Sequence, residues 1–233
     1  MRFPLLHRGT LLARRQRFLA DIRLDDGREI LAHCPNTGRM LGYSAPGLRV
    51  WASERPKAAG RCGWTWELAE LGETLVGVHP ARANALAAEA IAADRIAPLA
   101  GYAAMRREVR YGSEGSRIDL LLSAPDRADC YVEVKSVTAA DEYGLGIFPD
   151  AVSERGLRHL RELQTAAAAG ARAVLLFCVQ RGDALAVRAA REIDAAYARG
   201  LDQARAAGVE VFAWRCAIST EAITLARRVP VLS

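Results

Sequence analysis

At Pro80 the sequence changes its pattern, and few folds accommodate both halves. From Leu11 to about Val78, short apolar stretches are cut by turn signals: Asp25-Asp26-Gly27, Pro35-Asn36-Thr37-Gly38 and Pro46-Gly47. Residues 18–24, 29–33, 48–52, 65–71 and 74–78 are the strands this predicts, about five, spaced as in a small barrel or sandwich. Beyond Pro80 the chain turns alanine-rich, and residues 82–93 carry Leu86, Ala90 and Ala93 at helical spacing. Three strands are predicted next, at 106–111, 117–122 and 130–137. A helix over 153–169 follows, then a continuously apolar strand at 173–179 of the kind buried on both faces. Asp194 is placed to N-cap a last helix that Gly208 ends, with a strand at 209–216 and a tail able to add another. The boundary near residue 80 predicts a barrel unit over 1–80 and an α/β unit over 81–233, α+β overall.

Charge follows the same boundary. Of 233 residues with formal net charge +5, the first 64 hold twelve Arg and Lys against five Asp and Glu. A localised positive surface is the footprint of a polyanion partner, although an arginine-rich soluble surface reads the same way on charge alone. Arg14, Arg15, Arg17, Arg55 and Arg61 lie in or near the loops of this segment and are the expected phosphate contacts. Trp64 and Trp66 fall on one face of a strand, where they either stack bases or fill the barrel core. The longest wholly apolar run, 173–179, is far short of the ~20 residues needed to cross a bilayer. With five cysteines, no C-x-x-C pair and no secretory signal at the start, the expected setting is cytoplasmic, without a membrane partner.

Lysine is almost absent: only Lys57 and Lys135 remain among 32 basic residues. Lys135 closes the strand Tyr131-Val132-Glu133-Val134-Lys135, in which alternation puts Glu133 and Lys135 on one face. In Arg117-Ile118-Asp119-Leu120-Leu121-Leu122, Ile118, Leu120 and Leu122 are expected to share a face and Asp119 to point oppositely. If the two strands pair in register, two carboxylates and an ammonium converge. That set suits Mg²⁺ or Mn²⁺, which take oxygen ligands from one or two carboxylates plus substrate phosphate. Asp119 and Glu133 are then the metal ligands, and Lys135 orients or helps deprotonate a water. Glu89, on the preceding helix, is the candidate fourth member, with Glu108 competing. The plain alternative is a solvated strand face. His33-Cys34 is not a nucleophile and base pair, because adjacent strand residues point apart. His159 reads as a polar helix-face residue rather than a ligand, on a helix side that could border the site.

The order D…E-x-K over helix, three strands, helix and strand resembles the P-D-(D/E)-x-K nuclease superfamily, with Ile118 where that signature has proline. The whole chain, more closely, resembles the bacterial and archaeal sugar fermentation stimulation protein A family. The segments carrying the likeness are R-F-L-A-D-I-R-L-D-D-G, A-H-C-P-N-T-G-R-M-L-G, W-T-W-E-L, R-R-E-V-R-Y-G, S-R-I-D-L-L-L, C-Y-V-E-V-K-S-V-T, F-P-D-A-V, R-G-L-R-H-L-R-E-L and A-V-L-L-F. The resemblance implies an OB-like N-terminal barrel followed by a nuclease-like mixed sheet flanked by helices. It also implies DNA binding and a link to sugar (maltose) gene regulation. Superfamily roles pass to Asp119, Glu133 and Lys135 by motif, and to Glu89 by position. The function expected is DNA binding with a divalent-metal-dependent phosphodiesterase site. The alternative is a non-catalytic DNA-binding regulator. Base preference, strandedness and oligomeric state are not legible.

Overall fold

Apolar alternation along short strands closes the first half of the chain on itself. In the computed structural model, which describes residues 1–55, 62–112 and 114–232, six strands occupy this half. They are β1 (Leu6–Arg15), β2 (Leu19–Leu24), β3 (Glu29–His33), β4 (Arg49–Glu54), β5 (Trp64–Leu71) and β6 (Thr74–Gly77). Their order is β3-β2-β1-β4-β5-β6, and β3 also pairs in parallel with β5 through Ala32↔Trp64 and His33↔Thr65. That second pairing closes five strands into a barrel and removes its open edge. Leu11, Ile22, Ala32, Val50 and Trp66 fill the interior. β1 was not foreseen as a strand, because a register shift between Leu11 and Ala13 interrupts the alternation that Gly9 and Leu11 begin. Gly9 is needed there: a Cβ would sit 2.5 Å from the Arg23 carbonyl.

The second half is a mixed six-stranded sheet. It contains β7 (Ala104–Tyr111), β8 (Ser116–Ala124), β9 (Arg127–Val137), β11 (Arg172–Val179), β13 (Glu210–Ile218) and β14 (Ile223–Val229), ordered β14-β13-β11-β9-β8-β7. β9, β11 and β13 are parallel neighbours. Helix α1 (Arg82–Ala92) covers one face, packing Leu86, Ala90 and Ile91 over Leu120, Val132 and Leu176. Helices α2 (Glu154–Ala168) and α3 (Ala195–Ala206) cover the other with Leu160, Leu163, Tyr197 and Leu201. β11 is buried from Ala173 to Val179, as its unbroken apolar run requires. Ser153 caps α2 through the Gly156 amide at 3.0 Å, and Asp194 caps α3 through the Tyr197 amide at 2.9 Å. Gly208 stops α3 with a φ of 90°.

Two short strands escaped the sequence reading. β10 (Leu145–Phe148) and β12 (Ala186–Ala189) pair in parallel beside the main sheet, and four residues are too few to show a period. The first three residues do not belong to the barrel by contact. Phe3 donates its amide to Glu221, and Met1 accepts from the Ile223 amide, so they lie on the β13–β14 turn. The barrel is tied to the sheet by Gly77 N to the Gln180 carbonyl at 2.8 Å and by Tyr43 Oη to Thr138 Oγ1 at 2.7 Å. Among the described residues no helix is long and apolar enough to span a membrane.

Candidate metal centre

Two strands lose their alternation at the same level of the sheet. Leu120 and Leu122 pack in the α1-side core, whereas Ile118 packs on the α2 side, so the phase of β8 flips at Asp119. This corrects the expectation that Ile118, Leu120 and Leu122 share a face. On β7, Met105 packs against the α1-side core while Val109 and Tyr111 pack on the α2 side, so the flip falls at Glu108. Glu108 has φ 54°, a left-handed conformation that is uncommon outside glycine and clusters at functional sites. It stands between the pairs Arg107↔Leu120 and Val109↔Ile118, and so faces Asp119 across the ladder. The β8–β9 ladder also opens here. Its pairing stops at Leu120↔Val132, and the Val134 amide instead donates to Asp119 Oδ2 at 2.7 Å.

The opening brings Asp119, Glu133 and Lys135 to one place. Lys135 Nζ donates to Glu133 Oε1 at 2.7 Å, and the lysine side chain is only 12% exposed. His159, from α2, contacts the same Glu133 oxygen through Nδ1, while its Nε2 lies 3.3 Å from Arg155 Nε. Nδ1 also lies 3.3 Å from Lys135 Nζ, so the imidazole edge sits between that ammonium and the Glu133 carboxylate. The other Glu133 oxygen, Oε2, is buried without a hydrogen-bond partner among the described residues. Asp119 Oδ1 accepts from Asn84 Nδ2 at 2.7 Å, and the same amide reaches toward Glu108 Oε1 at 3.5 Å.

Electrostatics mark the two carboxylates as neighbours. Burial, and then the negative charge of Glu133, push Asp119 up to about 6 despite its hydrogen bonds. Glu133 is also buried, but its hydrogen bond with His159 and the charge of Lys135 outweigh that burial and hold it below the usual range. The buried hydroxyl of Tyr111 is raised first by desolvation and then by Glu133, Glu162 and Asp119. Three carboxylates, Asp119, Glu133 and Asp150, line the site against two cationic side chains, Lys135 and Arg155.

The three residues line a cleft of about 500 Å³ between barrel and sheet. Its far wall comes from Asn36 and Gly38 of the barrel, and its floor from Asp150, Ser153 and Arg155. Arg14 holds that barrel loop in place. Its guanidinium donates to the carbonyls of Arg17, Asn36 and Gly38 at 2.8–3.1 Å. Asp150 Oδ2 accepts the Arg39 amide at 3.0 Å, and Asn36 Nδ2 donates to the Tyr43 hydroxyl at 2.8 Å.

Glu89 is not part of this group. Its carboxylate is 52% exposed and holds the Met1 amine at 2.8 Å. Five residues separate it from Asn84, roughly 140° around a helix of 3.6 residues per turn, so the two look in different directions. Asn84 occupies the helix position that Glu89 was expected to fill, and Glu108 is the carboxylate nearer to Asp119. His159, read from the sequence as a polar face, is instead 3% exposed and touches Glu133. Asn84 and Asp150 were missed as site residues, while His159 and Asn36 were foreseen only as lying on a helix side and a loop that could border the site. The isolated amide in an alanine-rich helix and the P-N-T-G and F-P-D-A-V segments were the available signals.

The barrel residues proposed to meet phosphate are partly committed elsewhere. Arg14 is spent on carbonyls, and Arg15 pairs with Asp21 at 2.5 Å. Arg17 is exposed and Arg55 half-buried, while Arg61 lies outside the described residues. Trp66 is core, donating its indole N–H to the Leu68 carbonyl at 2.9 Å. Trp64 is half-buried, with the His7 ring 5.1 Å away edge-on and the Arg28 guanidinium 5.5 Å from its ring centre.

A divalent cation suits what is present. Two adjacent carboxylates, one with an orphaned buried oxygen, are hard-oxygen donors with unmet demand for positive charge. No three His, Cys, Asp or Glu side chains among the described residues form a complete cation cage. Further ligands would therefore be water and substrate, as is usual for Mg²⁺.

Comparison with known proteins agrees with this architecture. The family model described as the SfsA N-terminal OB domain matches residues 12–78, and the sugar fermentation stimulation protein RE domain matches 81–222. Sugar fermentation stimulation protein homologs from Shewanella loihica and Thioalkalivibrio sulfidiphilus are 52% and 53% identical over 229 and 210 residues. They cover 98% and 90% of this chain and 97% and 88% of their own. The structure of Pyrococcus furiosus SfsA in complex with Ca²⁺ superposes with a TM-score of 0.87 at 27% identity, over 100% of this chain and 98% of that one. The chain belongs to the sugar fermentation stimulation protein family.

Proposed function

We propose that this protein binds DNA and hydrolyses its phosphodiester bonds at a Mg²⁺- or Mn²⁺-dependent site made by Asp119, Glu133 and Lys135. The observation that carries the reading is the buried Oε2 of Glu133, unpartnered among the described residues, beside an Asp119 raised to about 6, in the cleft between barrel and sheet. The relative solved in complex with Ca²⁺ supports divalent-cation binding by a protein of this fold. A bound cation would supply positive charge against that building on the phosphorus centre and would acidify a coordinated water. This chain's residues do the rest. Asp119 and Glu133 would hold the cation, with Asn84 and the Val134 amide fixing the aspartate rotamer. His159 and Lys135 both grip Oε1 of Glu133 and leave Oε2 turned away from them. Lys135, next to that carboxylate, is placed to orient the attacking water and to stabilise charge on the phosphate. Asn36 and Gly38 limit the cleft on the barrel side.

A second reading, a regulator that binds DNA without cutting it, draws on the helix position. Asn84 stands there instead of a carboxylate, and both Asp119 oxygens already accept hydrogen bonds. Incubating DNA with the protein and Mg²⁺ or Mn²⁺, and then with chelator, separates the two. Under the hydrolytic reading, Asp119→Asn and Lys135→Ala each reduce cleavage by at least ~10²-fold while binding stays within about threefold. Equal nicking by wild type and both variants defeats it.

A further inference from the structure

The arginines best placed for a polyanion are not those of the basic N-terminal segment. In the barrel, Arg8 pairs with Asp25, Arg15 with Asp21, Arg23 with Glu29 and Arg28 with Asp26. Those charges are largely neutralised before any partner arrives. On the open edge of the second sheet the situation is reversed. Arg106, Arg107 and Arg110 of β7 and Arg117 of β8 are all exposed, and none has an ion pair or side-chain hydrogen bond among the described residues.

Their arrangement is unfavourable for the protein alone. Arg110 and Arg117 are register partners across β7 and β8, and like charges directly opposite one another destabilise a sheet. The phase flip gathers a third. Arg107 and Arg110 differ by three residues and would lie on opposite faces of a regular strand. The flip at Glu108 puts both on the α1 side, opposite Val109 and Tyr111. Arg117 joins them because its neighbour Ile118 packs on the α2 side. Arg117 is two residues from Asp119, roughly 6–7 Å along the strand. One backbone irregularity therefore opens the carboxylate site and collects a row of unpaired guanidinium groups beside it.

We infer that the β7–β8 edge, through Arg107, Arg110 and Arg117, is the track along which a nucleic-acid phosphate backbone enters the Asp119–Glu133 cleft. The inference rests on the phosphodiester reading above and deepens it by assigning the surface. Charge decides the occupant. Repeated phosphates neutralise facing arginines and release counterions. A second copy pairing through the same strand edge would bring a matching set of arginines against this one. Arg106, on the other face, is outside the row.

The test is anisotropy of a short fluorescent DNA duplex with Ca²⁺ present, across a salt series. The Arg110→Gln/Arg117→Gln double variant is expected to bind about tenfold or more weakly, and its log–log salt slope to shrink by about 1.8, from two lost contacts at ~0.9 each. Arg107→Gln alone removes about 0.9 from the slope. The barrel control Arg23→Gln/Arg28→Gln leaves affinity and slope unchanged. Thermal melting of the edge variants at or above the wild-type midpoint shows that the fold is retained, as removal of facing like charges requires. Wild-type binding that persists undiminished in the folded edge variants overturns the edge assignment and leaves the phosphodiester reading standing. A wild type that binds no duplex overturns both.

Discussion

Asp119 carries the clearest chemical signature at the scale of single residues. Burial and the Glu133 charge raise it to about 6 from an ordinary 3.8, so the native carboxyl takes up a proton more readily than the unfolded one. Its ionisation therefore weighs against folding above pH 6, and that penalty is relieved as pH falls from 6 toward 4. Cation binding needs the ionised form. The thermal stabilisation given by Ca²⁺ should be large at pH 8 and shrink several-fold at pH 5, measured as melting shifts with and without metal. Equal shifts at both pH values would show that this carboxylate does not hold the ion. Asp119, Glu133 and Lys135 were legible because E-x-K alternation and a rare lysine stand out in a chain that otherwise uses arginine. Asn84 and His159 were not, since an amide on an alanine-rich helix and a histidine on a polar helix face look like surface until the tertiary packing is known.

Elements position these residues through their irregularities. The turn after β7 is closed by α2: Glu162 Oε1 accepts the Glu114 amide at 2.7 Å, and a Cβ on Gly112 would fall 1.8 Å from Glu162 Oε2. Gly112 also has φ 70°. Gly112→Ala should therefore cost clearly more than Gly27→Ala, where φ is 90° but a Cβ would meet nothing within 4 Å beyond its chain neighbours among the described residues. Strain alone is worth ~1 kcal/mol, and displacing a buried carboxylate adds on the order of 1–3 kcal/mol. Chemical denaturation of both variants checks the ranking, and equal losses would mean that Glu162 moves aside freely. Strand periods and cap residues read well from the sequence where elements are long. Asp194 and Gly208 bound α3 as foreseen, and Ser153, expected as the first residue of α2, is its cap. The flips at Glu108 and Asp119 were invisible, because a single left-handed residue in a strand leaves no compositional trace. For the same reason the three hydrophobic positions 118, 120 and 122 were assigned to one face.

The whole molecule is a barrel whose loop completes a cleft in the neighbouring sheet. The change of pattern at Pro80 foretold two units, and the closed barrel and mixed sheet follow from strand alternation and the apolar run of β11. Their junction did not show in the sequence, since Tyr43, Thr138, Arg39 and Asp150 meet across long separations. Nor did net charge locate the exposed arginines, because the acidic residues that neutralise the barrel are its own turn and strand neighbours. The central claim is that this junction houses a divalent cation between two strand carboxylates. A crystal soaked in Mn²⁺ tests it most directly. An anomalous peak in contact with both Asp119 and Glu133 is the predicted result. Density free of any peak there, or manganese bound only at other surfaces, would contradict it.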